Sequence, residues 1–303
     1  MKKFLPYIAG LLASVIFGFS FLFTKTAIDF VMPFNFLAYR FSFAFLFLVI
    51  LKQAGFLRAK VSVKSLKDIG FLALVQPLLY FSLEITGISL TTSMEAGIII
   101  STIPIFVLML SRIFLKEFLN GMQLFSMFLS MAGVILITLS RGFSFSKNLA
   151  GALFLIGCSF SAAMYNILSR KASLKYSAAD ITYHMMLFGF VGFGSIAFFG
   201  SMINGSVSFF LKGLIIREVL ISALYLGILS SAVTFFLLNF TLSRIPATRA
   251  SVFPYISTSV ALFAGFIFRK ERLTSLGIMG TVMIFLGVWW INAFSSKNQE
   301  VLK

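Results

Sequence analysis

The sequence predicts an all-α membrane protein, with ten transmembrane helices arranged as two inverted five-helix repeats. Three observations carry this. Ten apolar runs, each about one bilayer crossing long, fill the 303 residues and leave short loops. The chain is 59% hydrophobic and 11% charged, with a mean hydropathy of +1.02, whereas a soluble domain carries roughly 25% charge. Finally, blocks of the first half recur in order in the second.

A helix rises ~1.5 Å per residue and the hydrocarbon core is ~30 Å thick, so ~20 apolar residues make one crossing. The runs cover 5–24, 33–51, 69–86, 94–115, 122–139, 149–169, 179–202, 219–241, 247–268 and 274–294. Continuous runs of this length exclude a β-barrel, which shows ~10-residue alternating segments. The first run follows Met1-Lys2-Lys3 and continues past Ala13 without a small-x-small cleavage pattern, so an uncleaved first crossing is expected. Asn204-Gly205-Ser206 fits a glycosylation acceptor, a pattern too short to carry weight.

Polar residues inside these runs mark places that must face protein or a wet cavity. Crossing two holds Arg40, for which two roles fit: binding a substrate carboxylate with its planar fork, or fixing Glu84 or a helix end. In crossing three, Gln76, Tyr80 and Glu84 recur every four residues beside Pro77. In a regular helix that is one face, a hydrophilic cavity wall. Glu84 also lies near the end of its run, so an interfacial place is the other reading. Glu95 opens crossing four, where a carboxylate suits the helix dipole. Crossing six carries Ser161, Tyr165 and Ser169 with Asn166 adjacent. Crossing seven carries His184, either a tie to a neighbouring helix or a titrating group. Asn239 is the strongest polar group of crossing eight. Ser251, Tyr255 and Ser259 recur in crossing nine. Pro104 and Pro254 lie deep in crossings four and nine and are expected to kink them, freeing the carbonyls of Ile100 and Ala250. Small residues line two close-packing stripes, Gly10-Ser14-Gly18 and Ala223-Gly227-Ser231.

The net charge of +16 sits in loops and helix ends, which argues for membrane orientation rather than nucleic acid. With the N-terminus inside, sixteen of the 25 Lys and Arg residues fall in cytoplasmic segments and eight in outer ones. Both termini are therefore expected in the cytoplasm, although Arg269, Lys270 and Arg272 oppose the bias. The single cysteine, Cys158, allows neither a disulfide framework nor a cysteine metal site. No P-loop, Gly-x-Ser-x-Gly elbow or His-Glu-x-x-His pattern is present. No cofactor or metal and no enzyme activity are expected. The partners expected are a small solute, the lipid bilayer and a possible second copy.

The repeat is specific. Ile113-Phe114-Leu115-Lys116-Glu117-Phe118-Leu119 aligns with Ile267-Phe268-Arg269-Lys270-Glu271-Arg272-Leu273, and the same offset carries Gly133-Val134 onto Gly287-Val288. Tyr39-Arg40 matches Tyr183-His184, and Lys25 matches Arg170. The units are 4–140 and 149–294. Five crossings per unit make the second enter the membrane from the opposite side, a ground plan of secondary transporters.

The chain also resembles the drug/metabolite transporter superfamily, specifically its EamA-type members. The residues that carry this are Phe17-Gly18-Phe19-Ser20 running to Lys25, Arg40, Thr92-Ser93-Met94-Glu95-Ala96, Pro104 and Lys116-Glu117. In the second half they are Ser161 to Asn166, Ser169-Arg170-Lys171, Asn239, Leu242 to Ala247 and Lys270-Glu271. The match covers roughly 5–294. Two Trp positions usual in that family are Phe17 and a site near Ala162 here, so substrate class does not carry over. The resemblance implies a central cavity between two repeats, peripheral crossings five and ten, and secondary transport of small organic metabolites such as amino acids. The cavity residues expected are Arg40, Gln76, Tyr80, Glu84, Tyr165, Asn166, Asn239 and Tyr255, with Glu84 or His184 as proton-coupling groups. An intramembrane enzyme acting on lipid, or a channel or scaffold, are the alternative classes.

Overall fold

The computed structural model describes residues 4–91, 93–140, 149–203, 213–269 and 274–293, with backbone alone at 21, 22, 25, 93–95, 97, 203, 265 and 269. The expected roles of the Lys25 and Glu95 side chains, of Lys270-Glu271 and of Asn204 lie outside the described residues. Among the described residues the chain forms ten helical spans. They are α1 (Leu5–Ile28), α2 (Pro33–Gln53), α3 (Val63–Leu90), α4 (Ser93–Ile100 and Ile103–Phe114) and α5 (Gly121–Ser140). The second half gives α6 (Leu149–Ala172), α7 (Ala178–Ile203), α8 (Arg217–Leu242), α9 (Ala247–Ala250 and Pro254–Arg269) and α10 (Ser275–Ala293). Eight are long and apolar enough to cross a membrane, while α1 and α4 hold shorter apolar stretches. Large apolar side chains such as Leu46, Val191, Phe198 and Trp289 remain exposed on the outer faces. This is a multi-pass membrane protein whose lipid supplies the missing burial.

Local chemistry sets the ends. Proline sits in the first turn of α1, α2 and the second piece of α4, where its missing N–H costs no hydrogen bond. A capping box between Ser62 and Ser65 starts α3. Just past the end of α2, Gly55 takes a φ of +80°, a conformation that favours glycine.

The irregularities fall in matched pairs. The third helix of each half contains a π-helical stretch, Leu74–Leu79 in α3 and Tyr225–Val233 in α8. The fourth helix of each half breaks just before its proline, at 101–102 in α4 and 251–253 in α9. Each break is bonded by a serine from the other half's first helix. Ser159 Oγ on α6 donates to the Ile99 carbonyl, and Ser14 Oγ on α1 donates to the Phe253 carbonyl.

The helix contacts obey the same exchange of halves. Helix α1 packs on α8 and α9, as α6 packs on α3 and α4. Helix α2 packs on α8, as α7 packs on α3. The pairs α2–α7 and α5–α10 map onto themselves, and α5–α10 is the most extensive contact of all. That last pair is antiparallel. A Cβ built on Gly133 would lie 2.5 Å from the Gly280 carbonyl oxygen, and one on Gly287 would lie 2.5 Å from that of Ser126. Gln123 Nε2 donates to the Ile291 carbonyl at 3.1 Å. Equivalent helices of the two halves thus run in opposite directions, as inverted repeats require. The aligned glycines, Gly133 and Gly287, are each the point where a backbone comes closest.

Because only hydrogen fits there, Gly133→Val should cost about 1–3 kcal/mol or more through overpacking. The detergent-solubilised variant should melt several degrees lower. Gly121→Ala, with nothing within 4 Å of the added methyl, should melt like the parent. Equal melting of Gly133→Val and the parent would contradict this packing.

Candidate functional site

Arg40 lies seven residues into α2, ~10 Å below the α1–α2 end of the bundle. Glu84 lies six residues before the end of α3, at nearly the same depth, because successive helices running opposite ways bring those positions level. Arg40 is buried, yet no carboxylate among the described residues holds it within 4.0 Å. Its Nε donates to Ser231 Oγ at 2.7 Å and its Nη2 to Ser230 Oγ at 3.2 Å. Ser20 of α1 in turn donates to Ser230 Oγ at 2.8 Å. The guanidinium stands 4.5 Å above the Phe81 ring, a cation–π arrangement. Two of its N–H donors are thus committed to neutral hydroxyls. The others have no protein partner among the described residues.

Tyr80 donates its hydroxyl to Glu84 Oε1 at 2.9 Å. Cys158 of α6 adjoins both residues, and the charge of Arg40 acts on both. Tyr80 and Glu84 keep partial exposure while Arg40, Phe81 and Cys158 around them are buried. Phe235 lies beneath them as a floor, edge-on to Phe17, Phe81 and Tyr165 at centroid separations of 6.0, 6.4 and 5.8 Å.

Gln76 requires a correction. The expected stripe of Gln76, Tyr80 and Glu84 assumed a regular helix. Gln76 instead has φ −146° and ψ 118° inside the π-helical stretch, next to a cis bond to Pro77. The four-residue spacing to Tyr80 then no longer means a shared face. Only Tyr80 and Glu84 remain paired. Gln76 is buried, with its Oε1 unpartnered.

Asn239 and Tyr165 also depart from the expected lining. Asn239 is 0% and Tyr165 3% exposed. Asn239 Oδ1 accepts from Tyr165 Oη (3.0 Å) and Ser169 Oγ (2.6 Å), and its Nδ2 donates to Thr182 Oγ1 (2.9 Å). A buried amide in apolar surroundings needs all these partners, and the result is a knot tying α6, α7 and α8 below the Phe235 floor. Asn166 donates to its own helix at Ala162. His184 is fully buried, with Nε2 3.0 Å from Ser65 Oγ and Nδ1 2.7 Å from the Asp180 carbonyl. It ties α7 to the start of α3. Tyr255 is buried and donates to the Ser101 carbonyl at 2.5 Å, one residue beyond the expected free carbonyl of Ile100. At the other break, the Ala250 carbonyl accepts from the Phe253 N–H at 3.2 Å. Pro104 and Pro254 do mark breaks, but the polar atoms around them are largely spoken for.

Two features escaped the sequence. Ser230 and Ser231 hold the arginine, and Ser231 was visible only as part of a small-residue stripe. Glu117 forms a latch at the α2–α3 end. It accepts from the Ala247 and Thr248 N–H groups and from Thr248 Oγ1, each at 3.1 Å, and lies 4.0 Å from Arg170 Nε. Arg170 also donates to the Leu242 carbonyl at 2.8 Å. The repeated Lys-Glu at the end of crossing four was the available signal. No group of three or more metal-ligating side chains occurs among the described residues.

A bundle of two inverted five-helix units, with Arg40 and Glu84 near each other inside it but not in contact, is the architecture of a membrane transporter. The EamA-like transporter family model matches residues 4–139 and again 149–293, and the chain belongs to that family. It is 38% identical over 295 residues to the Bacillus subtilis protein named uncharacterized transporter YcxC, covering 97% of this chain and 95% of that one. It is 21% identical over 197 residues to a probable terminal-alkyne amino-acid exporter of Streptantibioticus cattleyicolor, covering 65% and 63%. A crystal structure 15% identical in sequence superposes with a TM-score of 0.79 over 96% of this chain and 99% of its own. That likeness supports the fold. The protein is a membrane transporter.

Asn239→Leu strands three buried hydroxyls, each costing about 1–3 kcal/mol when unsatisfied. This variant should lose more thermal stability in detergent than Asn166→Leu, whose amide serves one carbonyl of its own helix. A reversed order would show that the knot is not the support it is described as.

Proposed function

We propose that the protein carries small organic metabolites, amino acids or related compounds, across the plasma membrane by alternating access, with both termini cytoplasmic. One observation carries the reading: Arg40 and Glu84, opposite in charge and level in depth, are held apart between the repeats by neutral partners. The free edge of the guanidinium suits a carboxylate. Glu84 with Tyr80 suits an ammonium or a proton. A zwitterion would bridge the two and complete both sets of hydrogen bonds. The name of the Streptantibioticus relative agrees with this class of solute. The aromatic floor and the Glu117 latch close the α2–α3 end, cytoplasmic in this orientation, and leave the site facing outward. With no ATPase motif in the chain, a gradient supplies the drive. His184 has both ring nitrogens occupied, so proton coupling falls to Glu84.

The test is flux in proteoliposomes across a panel of labelled amino acids and related metabolites. Arg40→Lys keeps the charge but loses the fork, and should cut flux about tenfold or more with a melting temperature near the parent's. Glu84→Gln should keep solute exchange while losing its response to an imposed pH gradient. Absence of parent flux for every panel member, in protein shown to be folded, would overturn the proposal. Wild-type exchange in Arg40→Lys would remove Arg40 from it.

A further inference from the structure

The α2–α3 and α6–α7 connections lie far apart in sequence and meet at one end of the bundle. Between them is a recess of about 690 Å³. Arg58, Lys60, Lys64 and Lys175 line it, and none of these side chains is engaged by a carboxylate among the described residues. The carboxylate on the wall, Asp180, is already committed. Its Oδ1 accepts from the Lys60 N–H at 2.6 Å, and its Oδ2 accepts from Ser177 N and Oγ at 2.9 and 2.8 Å. Two helices begin here, α3 at Ser62 and α7 just after Ser177, and both direct positive dipole ends toward the recess.

The same α3–α7 seam continues toward the middle of the membrane as a groove of about 290 Å³, with no polar lining. Leu66 and Leu78 form one wall, and Leu187, Phe188, Val191 and Gly192 the other. Leu66 is one residue past Ser65 of the recess. Leu78 is twelve residues farther on, ~18 Å along the helix. That depth is close to one leaflet of a ~30 Å hydrocarbon core. At Gly192 the two walls meet, since the Leu78 side chain packs where a Cβ would stand, and this contact closes the inner end of the groove.

Excess positive charge at a membrane surface is ordinary and needs no ligand. The convergence of two distant loops on one recess, continuous with an apolar slot of leaflet depth, is more than charge bias. The repeat copies it only in part: the connection equivalent to α6–α7 in the first half, Asp29-Phe30-Val31-Met32, has no cation, while the sequence equivalent to α2–α3 carries Lys212.

We propose that this seam binds a phospholipid with an anionic headgroup, the phosphate held in the basic recess and one acyl chain in the α3–α7 groove. Charge complementarity selects the head, and the dry slot selects a chain over water. The lipid touches Leu78, within the π-helical stretch two residues before Tyr80. Its occupancy therefore bears on the helix that carries Tyr80 and Glu84. In the orientation proposed above this is the cytoplasmic leaflet, where anionic lipids attract basic segments.

The test is native mass spectrometry of the whole detergent-purified protein. It is titrated with phosphatidylglycerol, with phosphatidylcholine of the same chains, and with soluble glycerol phosphate. Phosphatidylglycerol should bind at least tenfold more tightly than phosphatidylcholine. Each cation removed, as in Lys64→Gln and Lys175→Gln, should weaken it about fivefold. Val191→Trp places a ring across a position already 54% exposed to lipid, so the fold should survive. It should weaken phosphatidylglycerol severalfold without touching the recess. Equal binding of the two lipids, or no loss in the double charge variant, overturns the proposal. Binding of glycerol phosphate as tight as the lipid, indifferent to Val191→Trp, also overturns it and marks a soluble-anion site instead. These readouts do not involve flux, so the inference stands or falls apart from the transport assay.

Discussion

A polar backbone group in a membrane interior must find its partner within the protein, since lipid offers none. This constraint organises the molecule. The breaks of α4 and α9 and the π-helical stretch of α3 are each met by a side chain from another helix. Tyr255 reaches the Ser101 carbonyl at the break of α4, and Ser14 reaches the Phe253 carbonyl at the break of α9. Ser161 serves the Val75 carbonyl in the π-helical stretch of α3, and Thr241 serves the Pro6 carbonyl. These bonds join helices far apart in sequence and usually in opposite halves. The irregular points that loosen single helices therefore fasten the repeats together.

The fold was largely legible in the sequence. Crossing number, the two-unit repeat and the break points before Pro104 and Pro254 followed from run length, offset alignment and proline chemistry. The site was legible only in part. Tyr80 and Glu84 do share a face, because the helix is regular between them. Gln76 does not, because the π-helical stretch beside Pro77 resets the angular register, and a four-residue spacing cannot reveal that. Asn239 and Tyr165 stood out as polar groups inside the membrane and were expected in the cavity lining. Cost alone does not separate a cavity wall from a buried knot. That distinction depends on whether neighbouring helices supply enough hydroxyls, here Ser169 and Thr182, to satisfy the amide. Serine is too common in membrane helices for Ser230 and Ser231 to stand out as partners of Arg40.

The halves share a scaffold but differ in charge. Arg40 in α2 corresponds to His184 in α7, yet the two do different things. The histidine spends both nitrogens on the protein, bonding Ser65 and the Asp180 carbonyl. The arginine rests on hydroxyls and an aromatic face and keeps donors in reserve. A buried arginine matched by a carboxylate at contact distance would be a closed structural pair, costly to break. Arg40 and Glu84 feel each other without that contact, so the region stays polar and incompletely satisfied. Partial satisfaction is a poor way to stabilise a core, so stability alone does not account for the arrangement.

The same reasoning separates the two ends of the bundle. At the α2–α3 end, Glu117 caps the start of α9 and approaches Arg170, while Arg170 reaches the Leu242 carbonyl. Four helices are joined through one carboxylate. Arg249 is buried close enough to act on Arg170, and its Nε has no partner. Glu117 is thus the carboxylate beside Arg170, and it stands near a second, buried cation in Arg249. Glu117 attaches to α9 above the 251–253 break, on the short Ala247–Ala250 piece. The 251–253 break separates that piece from Pro254–Arg269, which packs on α1, and Tyr255 on the far side of the break is tied to the matching break of α4 at the Ser101 carbonyl.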